Sequence, residues 1–340
     1  MTKIKLKASP SPSERELKGE VVAAIDIGGT NTVFGLVDVN GKILLKETVA
    51  TEHFPIPEDL VAVVCEHIKK AMLQFADKYE LAGAGIGAPN GNYFKGTIEF
   101  APNLKWIGVI PLAKLFSERL NVKTVLTNDA NAAAIGEMMF GGAKGMKDFI
   151  FITLGTGLGS GIVANGEIIL GHDSFAGEIG HVIMFPDGRE CGCGRKGCLE
   201  TYCSATGIKR TYSDLLMSHH DKANLPAGQA DLQARVADAK YIYDKAITGD
   251  KDAIKAFNQT GDILGLALAN SVAYTSPEAI FLFGGLAMAG DFIFKPTVES
   301  FERNLLNIYK NKIKILPSQL KENDAAILGA ASLILKELKN

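Results

Sequence analysis

The stretch VVAAIDIGGTNTVFGLVDVNGKIL, residues 21–44, decides the fold. Its apolar start predicts a buried strand, its glycine turn leads into a second strand, and Asn40-Gly41 predicts a hairpin into a third. The stretch FIFITLGTGLGSGIVANGEII, residues 149–169, repeats this order of strand, glycine turn, strand, Asn-Gly and strand. Two copies so far apart indicate two α/β domains of related fold rather than a solenoid of short repeats. The alternative is that two unrelated hairpins resemble each other.

The composition is that of a globular enzyme. The chain has 340 residues, 47% of them hydrophobic, and a formal net charge of −2, which argues against general affinity for nucleic acid. Its apolar runs are too short to cross a membrane. The first residues are basic and then rich in proline and serine, without the apolar core of a secretory signal. We therefore expect a flexible arm over 1–20 and a protein of the reducing cytoplasm.

A cluster of metal-ligand residues lies in AGEIGHVIMFPDGRECGCGRKGCLE, residues 176–200. Three cysteines and one histidine are a tetrahedral zinc set, and the glycines among them allow a tight backbone turn. Four protein ligands close the coordination shell, so we predict a structural Zn²⁺ rather than a catalytic one. The predicted ligands are His181, Cys191, Cys193 and Cys198. A disulfide or free thiols are the alternatives, although three clustered thiols leave one unpaired.

The repeat and the zinc loop together predict the domain organisation. We expect residues 21–128 and a C-terminal helix over 325–340 to form a smaller α/β domain. Residues 129–324 form the larger domain, which includes the zinc loop at 177–200. Apolar residues at helical spacing also predict helices over 57–79 and 298–309.

Polar side chains suited to a polyol accumulate around the zinc loop. Sugar hydroxyls both donate and accept hydrogen bonds, and carboxylate and amide groups match them. The loop would fix Glu178 and Glu200, while His181 would use one ring nitrogen for the ion and the other for a hydroxyl. The candidates are Asn90, Asn92, Asn103, Asn128, Glu178, His181 and Glu200. For Asn103 the alternative is an ordinary turn residue after a proline.

The two glycine turns are candidate phosphate-binding sites. Glycine lets backbone N–H groups approach phosphate oxygens closely, and a threonine hydroxyl adds a donor. Neither turn matches the common phosphate-loop or dinucleotide patterns, and a plain hairpin is the alternative for each. Asp26, at the end of the first strand, is a candidate Mg²⁺ ligand through water. The candidate residues of the turns are Gly28, Gly29 and Thr30 in the first and Gly155, Thr156 and Gly157 in the second.

Asp129 is the candidate general base. It lies in TNDAN, residues 127–131, where a predicted strand ends and a predicted helix begins. A strand end that opens on a cleft is where an acid would meet a substrate hydroxyl. Phosphoryl transfer needs one such carboxylate, a metal on the phosphates and the exclusion of water. The alternative is that Asp129 only caps the helix.

Taken together, these residues resemble the ROK family of repressors, open-reading-frame proteins and sugar kinases. The resemblance extends from Val21 to the C-terminal helix. It implies an actin-like ATPase fold, which is a duplicated ribonuclease H-like α/β fold, with a sugar and ATP in the cleft between two domains. It also implies a homodimer. The motifs that carry it are DIGGT at 26–30, NDAN at 128–131, GTGLGSG at 155–161, GEIGH at 177–181 and CGCGRKGCLE at 191–200.

The resemblance also implies roles for individual residues. By the family pattern Asp129 is the catalytic base, and Gly284-Gly285 is the turn on the adenosine side. Asn90 and Gly91 are further candidate sugar contacts, in a loop over 88–92 where the family often has a shorter Pro-Gly turn. The sugar contacts that the family pattern implies are Asn103, Asn128, Asp129, Glu178, His181 and Glu200.

The family contains kinases and repressors, and the start of the chain favours a kinase. Only 25 residues precede Asp26, whereas a repressor would need a DNA-binding helix-turn-helix there. The motifs are most similar to those of the glucose-phosphorylating members, which implies ATP-dependent phosphorylation of the 6-hydroxyl with Mg²⁺. N-acetylglucosamine, N-acetylmannosamine and mannose kinases share every motif. A transcriptional regulator, a non-catalytic sugar sensor and polyphosphate as donor are more remote alternatives.

Overall fold

The first half of the chain builds a five-stranded sheet with helices packed around it. The computed structural model describes residues 18–218 and 238–339, so nearly all of the predicted arm over 1–20 lies outside the described residues. The elements of this half are β1 (Gly19–Ile27), β2 (Asn31–Asp38), β3 (Ile43–Ala50), α1 (Pro57–Phe75), β4 (Tyr79–Gly87), β5 (Gly91–Asn92), β6 (Thr97–Glu99), β7 (Val109–Ile110), α2 (Leu112–Leu120), β8 (Thr124–Thr127) and α3 (Asp129–Phe140).

The second half builds another five-stranded sheet. Among the described helices of the whole chain, none is both long and apolar enough to cross a bilayer. The elements of this half are β9 (Phe149–Leu154), β10 (Leu158–Ala164), β11 (Glu167–Ile168), α4 (Ala205–Ser218), α5 (Ala239–Ile247), α6 (Lys251–Thr275), β12 (Ala279–Phe283), α7 (Asp291–Asn304), β13 (Lys314–Pro317) and α8 (Glu322–Lys339).

The two large sheets share one topology. Their strand orders are β3-β2-β1-β4-β8 and β11-β10-β9-β12-β13. In each sheet the first three strands in sequence pair antiparallel, and the last two run parallel to the first. Strands β5, β6 and β7 form a small separate antiparallel sheet. The same strand order in both halves confirms the duplication that the two hairpins predicted.

Helices α3 and α8 fill the space between the two sheets. Buried Ile334 on α8 packs with Val22 and Ala24 on one face of the first sheet. Ala134 on α3 packs with Phe149 on the second sheet. The outer faces are covered by α1 and α2 on the first sheet and by α4, α6 and α7 on the second. Because α3 contacts elements of both halves, the predicted division at 128/129 stays a prediction.

Two predicted helix boundaries are wrong, and each has a physical reason. The helix predicted over 57–79 ends at Phe75, and Tyr79 begins β4. Tyr79 matches the helical spacing of apolar residues although it lies outside the helix. Its ring packs edge-on against Phe75, the last residue of α1, with 6.3 Å between ring centroids. The helix predicted over 298–309 is α7, which begins earlier and ends earlier. It contains Pro296 in its interior, where the proline ring packs against Gly261 of α6, a residue with no side chain to obstruct it.

Truncation of Ile334 should test the packing of α8. Its side chain is fully buried against the first sheet, so Ile334→Ala should lower the free energy of unfolding by about 2–5 kcal/mol through lost burial and a cavity. Urea unfolding followed by circular dichroism measures the change. Leu338→Ala, on the same helix but 39% exposed, is the matched control and should cost about 1 kcal/mol or less. Equal losses in both variants would contradict this packing.

Candidate functional site

A cavity of about 700 Å³ brings most of the predicted sugar residues together. The first half of the chain supplies the loops that follow β4 and β6. The second half supplies the turn between β9 and β10 and the loop that carries the cysteines. Five predicted sugar residues line this cleft together with two residues of the second glycine turn. These seven are Asn90, Asn103, Glu178, His181 and Glu200, and Thr156 and Gly157.

Asp129 occupies the first position of α3, directly after the end of β8. The preceding residue, Asn128, is the helix cap, because its Oδ1 accepts hydrogen bonds from the backbone N–H groups of Ala130 and Asn131. Capping occupies Oδ1 of Asn128, so its Nδ2 group is the part that a ligand would meet. The alternative that Asp129 merely caps the helix is therefore wrong. Its carboxylate accepts one hydrogen bond, from the Ala130 N–H at 2.8 Å.

Asp26 and Asp129 both lie close to Gly87, the last residue of β4, and neither is among the residues that line this cavity. A side chain at Gly87 would lie 3.2 Å from Oδ1 of Asp26 and 3.6 Å from Cα of Asp129, so the missing side chain leaves room between them. Desolvation, and secondly the negative charge of Asp129, raise the pKa of Asp26 to about 7. Asp129 is exposed at the protein surface, yet the surrounding protein limits the hydration of its carboxylate. This desolvation raises the pKa of Asp129, against a smaller lowering by the backbone hydrogen bond.

The wall opposite Asp129 carries two glutamates and a histidine. Desolvation raises the pKa of Glu178; the nearby His181 lowers it, while the charges of Asp129 and Glu200 raise it further. Oε2 of Glu200 lies so close to the second glycine turn that a side chain at Gly157 would come within 2.8 Å of it. Three carboxylates of one cleft therefore interact with one another. Such an arrangement suits hydroxyl donors or a cation.

The residues predicted to bind zinc form a compact cluster. Their ligand atoms all lie within 4.8 Å of one another. The Sγ atoms of Cys193 and Cys198 are 3.7 Å apart, and Sγ of Cys191 is 3.7 Å from Nδ1 of His181. Zn–S bonds of about 2.3 Å in a tetrahedron separate two sulfur atoms by about 3.8 Å, so the spacing fits zinc. A disulfide, with sulfur atoms about 2.05 Å apart, does not fit, and all five cysteines are free.

An arginine that the sequence analysis overlooked holds the zinc loop in place. The Arg189 guanidinium donates to the carbonyl oxygens of Thr201 and Gly207, pairs with Asp214 at 2.8 Å and stacks on the ring of Tyr202. These contacts attach the start of the loop to α4. An isolated arginine carries no local sequence pattern, so only its partners, distant by 12 residues or more, reveal this role.

The first glycine turn is closely packed against the candidate sugar loop. The Gly28 N–H donates to the carbonyl oxygen of Asn31, so it serves the hairpin rather than a ligand. A side chain at Gly29 would overlap the carbonyl oxygen of Asn103. Thr30, at the end of the turn, is exposed to solvent. The turn therefore offers Gly29 and Thr30 to a ligand and also fixes the position of Asn103.

The second glycine turn connects the cleft to a second cavity of about 570 Å³. Thr156 lines both cavities, Gly155 and Gly285 line the second, and Gly284 adopts φ +99°, where a side chain would be strained. The second cavity is mostly apolar, which suits a flat aromatic ring. No local sequence pattern indicates its apolar wall, because those residues lie on three separate helical segments. They are Tyr243, Phe257, Leu286, Met288 and Ala289.

Two candidates from the loop over 88–92 do not reach the cleft. Gly91 is buried, a side chain there would overlap the carbonyl oxygen of Thr127, and its N–H donates to Ala88. Asn92 is 1% exposed, and its Nδ2 donates to Glu99 and to the carbonyl oxygen of Asp173. Both residues make contacts within the protein and neither lines the cavity, so the sugar contacts predicted for them stay predictions.

Comparison with known proteins identifies the family. The sequence matches the ROK family over residues 22–337. The glucokinase of Thermotoga maritima is 35% identical over 316 residues, which are 92% of this chain and 97% of that protein. The glucokinase of Streptomyces coelicolor is 34% identical over 311 residues, 91% of this chain and 96% of that protein. The chain therefore belongs to the ROK family, as its motifs predicted.

A solved structure agrees with this assignment. The ROK family glucokinase from Streptomyces griseus, in complex with glucose and AMPPNP, superposes with a TM-score of 0.74 at 34% identity. The match covers 92% of this chain and 98% of that chain. Together with the duplicated sheets, it confirms the predicted actin-like ATPase fold.

The raised pKa of Asp26 predicts a pH-dependent stability. In the unfolded chain an aspartate loses its proton near pH 4, whereas the folded protein holds this one to about pH 7. Stability therefore falls between these values as the pH rises, because the folded state binds more protons than the unfolded one. In metal-free buffer, the Tm of the wild type should fall relative to Asp26→Asn from pH 5 to 7. Asp77→Asn, in an exposed turn, is the control; a pH-independent difference for Asp26→Asn would contradict the prediction.

Removal of one thiol should release the metal. Cys193→Ser should reduce zinc affinity more than about tenfold, because one of four ligands is lost, and should weaken sugar binding by loosening the loop under Glu200. Metal analysis of purified protein and titration calorimetry measure the two effects. Cys203→Ser is the control, since Cys203 lies outside the cluster and donates to the carbonyl oxygen of Thr260, a bond that serine can keep. Unchanged zinc content in Cys193→Ser would refute a zinc site here.

Proposed function

We propose that the protein transfers the γ-phosphoryl group of ATP to the 6-hydroxyl of a hexose, with glucose as the first candidate. The observation that carries the proposal is that Thr156 lines two cavities: one has charged and polar groups suited to a sugar, and the other is mostly apolar and suited to adenine. The relatives are glucokinases, and the solved Streptomyces griseus enzyme holds glucose and AMPPNP.

Asp129 is proposed to act as the general base. Desolvation raises the pKa of Asp129, which makes its carboxylate a stronger base than that of an ordinary aspartate. The proton of the sugar 6-hydroxyl passes to the Asp129 carboxylate, and the oxygen forms a bond to the γ-phosphorus of ATP. The bond from that phosphorus to the bridging oxygen breaks, and its electron pair leaves with ADP.

The crowded carboxylates support a Mg²⁺ site near Asp26. The negative charge of Asp129 raises the pKa of Asp26. A cation bound between the phosphates and Asp26 would reduce this repulsion. When bound, Mg²⁺ would neutralise negative charge on the phosphates. Asp26 would hold the hydrated ion, and the turns at Gly29 and Thr156 would hold phosphate oxygens through backbone N–H groups and hydroxyls.

The zinc site is proposed to be structural. His181 directs Nδ1 at the thiols, so its Nε2 is free to meet a sugar hydroxyl. The Cys191 thiol lies 2.9 Å from Oε1 of Glu200, which ties the cluster directly to a candidate sugar ligand. A bound Zn²⁺ would thereby fix two sugar-binding groups at once.

The sugar itself is best identified by turnover. ADP release with ATP and Mg²⁺ should be fastest with glucose in a panel that also holds mannose, fructose, N-acetylglucosamine and N-acetylmannosamine. A different preferred sugar would change the substrate and keep the mechanism. Turnover with polyphosphate in place of ATP would change the donor. No turnover with any sugar, in protein shown to contain zinc, would refute the kinase proposal and favour a sensor.

Asp129→Asn should separate catalysis from binding. Loss of the base should lower kcat by about 10² to 10⁴-fold, while the sugar KM changes little because the amide keeps the shape. Steady-state kinetics and calorimetry with glucose measure both. Asp291→Asn is the matched control, because Asp291 is also the first residue of a helix, α7, but lies outside the cleft. Near-normal turnover of Asp129→Asn would exclude Asp129 as the base.

We further propose a cytoplasmic homodimer whose ligands are small molecules. The free thiols of all five cysteines suit a reducing compartment. A net charge of −2 and an acidic cleft do not favour nucleic acid. Val182 and Tyr274, which line a further cavity on the second half, are 48% and 90% exposed and offer apolar surface to a second copy. Light scattering coupled to size exclusion tests the dimer.

A further inference from the structure

The walls of the cleft differ in chemistry. The second half of the chain contributes the charged and polar groups Glu178, His181 and Glu200. The first half contributes apolar side chains, Pro89, Phe100 and Pro102, beside its two asparagines. Among the described residues that line this cavity, Phe100 carries the one apolar aromatic ring. A pyranose carries hydroxyl groups around its edge and C–H groups on its faces, so it needs a surface of each kind.

Phe100 adopts a backbone conformation that bulky side chains avoid. Its φ is +50°, in the left-handed region, and this is an outlier for a residue other than glycine, asparagine or aspartate. Core packing does not compensate for the strain, because Phe100 is 71% exposed. Strained residues of this kind persist where their surroundings enforce the conformation, and they concentrate at functional sites.

Neighbouring groups enforce this conformation from both sides. The Phe100 N–H donates to the carbonyl oxygen of Gly108 at 2.9 Å. Its carbonyl oxygen accepts from Nδ2 of Asn90 at 3.2 Å, and the same Nδ2 donates to the carbonyl oxygen of Glu99 at 3.0 Å. Asn90 itself adopts φ +51° and lines the cleft. The Asn90 amide group is therefore engaged with the backbone that presents Phe100.

We propose that Phe100 is a sugar-binding residue whose ring covers the C–H face of the hexose, and that Asn90 positions it. The proposal rests on the proposed function and deepens it. The ring contacts the sugar and not the reacting oxygen or phosphorus, so it contributes to sugar affinity and leaves the phosphoryl-transfer step unchanged. The strained backbone at residue 100 is kept because it holds an apolar surface opposite the polar wall.

Truncation of the ring tests the contact. Phe100→Ala should raise the sugar Kd and KM about tenfold, the effect of losing one apolar contact in a pocket, with kcat and the KM for ATP within about twofold of wild type. Phe100→Leu, which keeps apolar bulk, should recover part of the loss. Phe94→Ala is the matched control: Phe94 lies in the turn between β5 and β6 and is 59% exposed, but it does not line the cleft. Calorimetry with glucose and steady-state kinetics measure these effects.

Phe100→Gly tests the strain independently of the ring. Both the Gly and the Ala variants lack the ring, so both should bind sugar weakly. The Gly variant should unfold at a higher Tm than the Ala variant, by about 1–3 °C, because glycine accepts a positive φ that alanine resists. At a position with negative φ, the Ala variant would have the higher Tm. If Phe100→Gly is more stable than Phe100→Ala and still binds sugar less tightly than the wild type, residue 100 serves sugar binding rather than stability.

The outcomes separate this proposal from the proposed function. If the wild type phosphorylates a sugar and Phe100→Ala binds it as tightly as the wild type, the ring has no role and only the Phe100 proposal is overturned. Equal weakening by Phe94→Ala would also overturn it, since the effect would then be general. A wild type that binds sugar without turnover would refute the kinase and still test Phe100 by calorimetry. A wild type that binds no sugar would overturn both.

Discussion

The close contact between α3 and α8 is the constraint on which the cleft depends. The helices meet at Gly136 and Gly329, where a side chain on Gly136 would lie 3.0 Å from Cα of Gly329. On its other side α8 packs so tightly on Gly85 of β4 that a side chain there would overlap the backbone of Ala330. Because neither contact leaves room for even a methyl group, the two sheets are held at a defined separation. The active residues lie at the ends of strands that these helices hold apart.

That separation brings acidic groups from distant parts of the sequence into one cleft. Desolvation raises the pKa values of Asp26, Asp129 and Glu178. The charge of Asp129 raises the pKa of Asp26 further, and the charges of Asp129 and Glu200 do the same for Glu178. Ligands with hydroxyl donors, and cations, reduce this repulsion, so the cleft is tuned to what it binds. The Cys/His cluster contributes to the position of Glu200, because the Cys191 thiol donates to its carboxylate on a loop that has almost no regular secondary structure.

The fold was largely predictable because its signals are local. Two hairpins with glycine turns and an Asn-Gly each predicted three antiparallel strands, and the strand orders of the two sheets repeat as expected. The errors came at two helix boundaries. The predicted start at residue 298 is too late, because α7 already includes Pro296, whose ring fits where Gly261 on α6 leaves space. The spacing of Tyr79 argued for one more helical turn, yet its ring contacts α1 from the start of a strand.

The sequence by itself determined the family and predicted the Cys and His residues that cluster and the candidate acidic groups, because each depends on residue type and short spacing. Only the tertiary structure decided which residues meet. It showed that Asn128, and not Asp129, is the N-cap of α3. It also showed that Gly91 and Asn92 are buried, and that the apolar cavity is built from separate helical segments. It also revealed the strained backbone of Phe100, which no composition or periodicity encodes. The physical reason is that contacts and backbone strain arise from packing between segments far apart in the chain, whereas motifs arise within one.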